Sequence, residues 1–211
     1  MQTNSTGAVR AVRTLLSCGV ASGPTFLLIF IIQILIHPEF HFTRSEPSLL
    51  SIGSLGWIQA ANFVIGGLLV IAGGLGMQGV LRLSKGRAWA PCFLQIFGLG
   101  QVGAGVFPPD PVSSATSMTF HGTMHLIFGG VSFGGLMAAC FLVVRTFTSL
   151  GHKPWGIFSA VTGLLFLAAF FSAANASQGA TNIQFFLNLI FVLAWVWISL
   201  ISKQLLGIAS T

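Results

Sequence analysis

Residues Gly105 to His125, GVFPPDPVSSATSMTFHGTMH, decide how the chain is read. The stretch holds Asp110, one of only three acidic residues, set between prolines, and closes on His121 and His125. Two histidines four residues apart on a helix share one face, one turn above the other. A long apolar run precedes the stretch and another begins within it. A carboxylate and two imidazoles are therefore expected where a membrane segment meets water.

Working outward, the rest of the chain supports that setting. Of its 211 residues, 54% are hydrophobic and 6% charged, whereas a soluble domain carries about a quarter charged residues. Apolar runs of about 20 residues recur, the length that crosses a bilayer core. The spacing does not suit a barrel, whose strands alternate over about 10 residues. The fold class expected is all-α, a polytopic transmembrane bundle of six helices. They are placed at 14–37, 54–82, 89–107, 118–145, 154–174 and 181–203, with Pro24 kinking the first and Pro154 opening the fifth. The domain division that follows is a segment 1–13, a transmembrane domain 14–203 and a tail 204–211. The first apolar run continues to Ile36, too long for a signal peptide, so an uncleaved span is expected. No internal repeat suggests a two-half transporter.

Charge sets the orientation. Arg10, Arg13, Arg82, Lys85, Arg87, Arg145, Lys153 and Lys203 fall on one side of the six-span arrangement and only Arg44 on the other. The positive-inside rule then places both termini in the cytoplasm. Trp89 and Trp155 sit near the inner interface and Trp57 near the outer one, as an aromatic belt requires. All three acidic residues, Glu39, Glu46 and Asp110, fall outside, with His37, His41, His121 and His125. The localisation expected is an integral protein of the bacterial plasma membrane, with the lipid bilayer as partner. The net charge of +6 reflects this topology; no basic run or RNA-binding motif points to nucleic acid. Cys18, Cys92 and Cys140 are too scattered for a disulfide framework or a paired-cysteine metal site.

Polar residues within the spans repeat the asymmetry. Gln33, Gln59, Asn62, Gln101, Gln184 and Asn188 fall in the outer halves of their helices, with Gln78 an exception and Gln95 near the middle. Polar groups in a bilayer are costly unless they face a bundle interior or a wet cavity. Their common depth predicts an outward-facing polar pocket lined by Gln59, Asn62, Gln101 and Asn188. Glycine, 26 residues in all, reads as close helix packing.

At the mouth of that pocket, His121, His125 and Asp110 could share a divalent metal such as zinc, with Glu46 or His41 completing the set. A catalytic site would keep one position for water. No glutamate follows His121, so the zinc-protease pattern is absent. The competing reading is structural: the histidines cap or bridge helices, and Asp110 fixes a turn. Haem is disfavoured, because His121 and His125 point the same way and no deep histidine on another helix faces them. Ser45 reads as a loop cap, since no nucleophile-elbow pattern surrounds it.

These residues carry a resemblance. Ser45-Glu46, GWIQAANFVIGGLL at 56–69, GVFPPDP at 105–111 and HGTMH at 121–125 resemble the six-helix bacterial membrane family known as domain of unknown function 998, distantly similar to Frag/DRAM-type membrane proteins. The resemblance runs from about His37 to the end. It implies a six-span fold with an outward polar cluster and brings no established reaction. Members often carry a Glu-Arg or Gln-Arg pair early in the last helix, where this chain has Gln184-Phe185.

The leading expectation is an outward-facing polar His/Asp/Glu pocket that binds or acts on a lipid-like ligand, with a metal cofactor in one version. Whether it is an enzyme is left open. The alternative is a non-enzymatic accessory or structural subunit of a larger membrane assembly, or a homo-oligomer. A transporter ranks third, because the inner halves hold no buried charge for a relay.

Overall fold

A computed structural model describes residues 3–83, 89–111, 118–174 and 181–209. Lys85 and Arg87 lie outside the described residues. The described chain forms six α-helices and one short 3-10 turn: α1 (Thr3–Ile36), η1 (Pro47–Ser51), α2 (Gly56–Leu83), α3 (Ala90–Val106), α4 (Phe120–Ser149), α5 (Lys153–Ala174) and α6 (Thr181–Ile208). Helices are the form that satisfies every backbone group internally when lipid offers no partners. Five are long and apolar enough to cross a membrane; α3, at 17 residues, is shorter and lies between α2 and α4. The molecule is thus a multi-pass, membrane-type helical bundle. Leu28, Leu35, Ile157 and Leu164 on its periphery are more than half exposed, an apolar surface that needs lipid around it.

Each helix packs on the next in sequence, and α6 returns to α1 and closes the ring. Trp195 of α6 fills the middle. Its ring stacks on Phe26 of α1 with centroids 3.9 Å apart and meets Phe97 of α3 edge-on at 5.7 Å. Gly66 of α2 makes room for it: a Cβ there would lie 2.7 Å from the Trp195 ring. Lower down, Gly19 of α1 and Gly73 of α2 bring their backbones into direct contact.

The helix ends follow from local sequence. The Thr119 hydroxyl caps α4, accepting from the Gly122 N–H at 3.1 Å. At the other end of α4, Gly151 takes φ +80°. The N–H of His152 then reaches the Phe147 carbonyl and that of Gly151 the Thr148 carbonyl, the glycine-closed pattern that reverses the chain into α5. Pro154 sits in the first turn of α5, as expected. α1 begins at Thr3 rather than at 14. The reason is packing: Val12 lies against the core, over Gly79 of α2. α4 and α6 also run a turn or more past their expected ends. At Pro24 the helix continues to Ile36, and the neighbouring Gly23 N–H donates to Ser199 Oγ of α6 at 3.0 Å.

Candidate functional site

The helix ends that carry Asp110, His121 and His125 are here called the acidic end, and the opposite ends the basic end. At the acidic end, α3 stops at Phe107, and Pro108, Pro109 and Pro111 prevent its continuation. Asp110 accepts from both the backbone N–H of Thr119 (2.8 Å) and its hydroxyl (2.5 Å). The Thr119 oxygen in turn accepts from Gly122 N. Asp110 therefore locks the first turn of α4, and it lies so close to Gly122 that a Cβ there would collide with the carboxylate. The Thr119 hydrogen bonds hold the Asp110 carboxyl below its usual range, with a smaller contribution from His121.

His125 Nδ1 lies 3.1 Å from the Ala104 carbonyl oxygen and 2.8 Å from that of Phe107. Carbonyls only accept, so Nδ1 carries the proton and donates to the orphan carbonyls at the end of α3. His121 is exposed and packs its ring against Phe107 and Phe120, with centroids at 5.7 and 6.0 Å. Asp110, His121 and His125 thus all lie at the α3–α4 seam, each with its own partners. Among the described residues, no three His, Cys, Asp or Glu side chains form a group that could hold a metal ion.

Glu46 and His41 lie in the connection between α1 and α2. Glu46 is exposed and precedes η1 without a side-chain capping bond. The Ser45 hydroxyl accepts from the His41 N–H at 3.2 Å, the loop-capping role its sequence suggests. Asn188 of α6 ties this connection down. Its Nδ2 donates to the carbonyls of Phe42 (2.6 Å) and Ser45 (3.0 Å), and its Oδ1 accepts from Gln184 (2.9 Å).

Inside the ring, toward the acidic end, a second polar group is set more deeply. Gln33 of α1, Gln59 and Asn62 of α2 and Gln101 of α3 are at most 3% exposed, and Trp195 of α6 is fully buried. Asn62 Nδ2 donates to the Phe26 carbonyl (3.1 Å) and to Gln59 Oε1 (3.3 Å). Gln101 Nε2 donates to Ser132 Oγ (2.7 Å), which donates to the Phe97 carbonyl. Gln33 Nε2 donates to the Leu55 carbonyl. Seven buried side-chain polar atoms have no hydrogen-bond partner among the described residues: in this group the acceptors Gln33 Oε1, Asn62 Oδ1 and Gln101 Oε1 and the donors Gln59 Nε2 and Trp195 Nε1, and elsewhere Ser51 Oγ and Ser202 Oγ. Gln59 and Asn62 share a helix face with Gly66, against which the Trp195 ring packs. Amides and an indole have no nucleophile or proton shuttle to offer; they recognise hydrogen-bonding groups.

Sequence reasoning placed Gln59, Asn62 and Gln101 at one depth but missed Trp195 and Ser132. Trp195 carries a readable signal: it sits mid-span, away from the interfaces where tryptophan usually collects. The family model described as Protein of unknown function (DUF998) matches residues 20–202. No curated protein and no solved structure matches the chain.

Proposed function

The chain belongs to that family, and we propose, from its own site, that it is a ligand-binding protein of the bacterial plasma membrane with its acidic end outside. It takes the uncharged, hydrogen-bonding headgroup of a lipid-like molecule between α1, α2, α3 and α6. One observation carries this reading: toward the acidic end, five buried polar atoms of Gln33, Gln59, Asn62, Gln101 and Trp195, on four helices, have no hydrogen-bond partner among the described residues. A buried polar group without a partner costs about 1–3 kcal/mol, so a ligand group or a water that completed these hydrogen bonds would be favoured there. The group offers both donors and acceptors and no charge. An uncharged headgroup fits it, while a charged one would be buried without a counter-ion.

The test is a comparison of lipids retained through purification. Protein extracted from membranes should carry an uncharged amphiphile, identified by mass spectrometry, that is depleted from a folded Gln59→Leu/Asn62→Leu variant. Identical lipid profiles would overturn the reading and leave the accessory-subunit alternative ahead.

Zinc binding at the α3–α4 seam is the second reading. What supports it is His125, whose Nδ1–H is held by two carbonyls, the arrangement that frees Nε2 to ligate a metal. Against it stands Asp110, both of whose oxygens already accept from Thr119. Zinc should raise the melting temperature of the purified protein, and His125→Ala should abolish the rise; melting indifferent to zinc removes this reading.

A further inference from the structure

At the basic end, a cavity of about 440 Å³ opens between the first turns of α1 and the last turns of α6, lined by Val9, Arg10, Arg13, Thr14, Ser17 and Leu206. We propose that this groove binds the headgroup of an anionic phospholipid of the surrounding bilayer. It lies at the opposite end from the amide group and does not depend on the function assigned there.

Arg10 and Arg13 stand three residues apart on one helix, so both guanidiniums reach the same groove. Neither has a carboxylate side chain near it. The three acidic residues, Glu39, Glu46 and Asp110, all sit at the other end. The rise of α1 from Arg13 to Ile36 alone separates them by about 35 Å. The hydroxyls in the lining donate elsewhere: Thr14 Oγ1 to the Arg10 carbonyl and Ser17 Oγ to the Arg13 carbonyl. Anion recognition therefore falls to the two guanidiniums, whose planar forks match phosphate oxygens.

Depth favours a lipid over a free anion. A hydrocarbon core of about 30 Å takes about 20 helical residues; counted from Ile36, that reaches Ser17. Arg13 and Arg10 then lie a turn or two further, in the headgroup layer. Val9 and Leu206 give the groove apolar walls beside the charges, and a phospholipid presents that combination at this depth while inorganic phosphate does not.

The protein in mixed micelles provides the test. Phosphatidylglycerol should raise the melting temperature above the value with phosphatidylcholine of the same chains, and native mass spectrometry should show retained phosphatidylglycerol. Arg10→Gln/Arg13→Gln should lose at least half of both effects. Arg145→Gln/Lys153→Gln, which removes the same charge from exposed positions away from the groove, should keep them. Equal losses in the two variants, no preference for phosphatidylglycerol, or an equal rise with inorganic phosphate would each overturn the assignment.

Discussion

His125 Nδ1 donates to the Phe107 carbonyl at 2.8 Å, and so a side chain of α4 closes the open end of α3. The bond joins the two helices on either side of the proline-rich turn, and the Ala104 carbonyl shares the same proton. Removing the imidazole leaves two partly buried carbonyls unsatisfied, a loss of about 1–3 kcal/mol. His125→Ala should therefore melt earlier in detergent with or without zinc. His125→Asn, which retains a donor, should recover part of the loss. A His125→Ala protein as stable as the parent would show that the bond contributes nothing.

Asp110 and Thr119 make a second closure, and its pH dependence has a definite sign. The folded carboxyl titrates below its ordinary value of 3.8. A depressed carboxyl contributes stability that is complete above the unfolded value and fades as pH falls through the folded one. Acidification below about pH 4 should thus loosen the start of α4 in the parent protein. Asp110→Asn should flatten that part of the melting profile. Thr119→Ala, which removes the cap and the hydroxyl donor to Asp110 but keeps the backbone N–H donor, should cost about 1 kcal/mol at neutral pH. An unchanged acid limb in Asp110→Asn would show that Asp110 contributes nothing to it.

Hydropathy made the helices readable because the bilayer imposes a length on each apolar run. It misplaced the start of α1, because Arg10 and Arg13 look like a soluble segment while Val12 between them packs over Gly79. The site was readable in part. Gln59, Asn62 and Gln101 share a depth that any helical placement gives. Whether His125 meets a metal or a carbonyl depends on where α3 stops, and that is set by tertiary packing. Asn188 looked like a member of the same set, yet its partners are carbonyls of a loop more than 140 positions away in sequence, which no local pattern announces.

The orientation proposed here can be read directly. In a cysteine-free background, Thr43→Cys lies at the acidic end and Thr148→Cys at the basic end, both exposed. In intact cells, a membrane-impermeant maleimide should label position 43 and spare position 148 until the membrane is opened. The reverse pattern would invert the topology and place the acidic end in the cytoplasm.

The glycines separate close packing from open surface in one pair of substitutions. A Cβ at Gly66 would stand 2.7 Å from the Trp195 ring and 2.9 Å from that of Phe26, two side chains already stacked on each other in the middle of the bundle. Neither ring is a flexible chain end, so both must shift, and overpacking of that kind costs about 1–3 kcal/mol. Gly134 on α4 has nothing within 4 Å of such a Cβ. Alanine there gains about 0.8–1 kcal/mol of helix propensity in a soluble host and meets no clash. Gly66→Ala should therefore lower the melting temperature and alter tryptophan emission, while Gly134→Ala should leave the emission unchanged and the melting temperature equal or higher. The same shift of Trp195 displaces its unpartnered indole N–H, so Gly66→Ala should also deplete the uncharged amphiphile from the purified protein. Retained amphiphile in a Gly66→Ala protein with altered emission would separate Trp195 from recognition and leave it a packing residue.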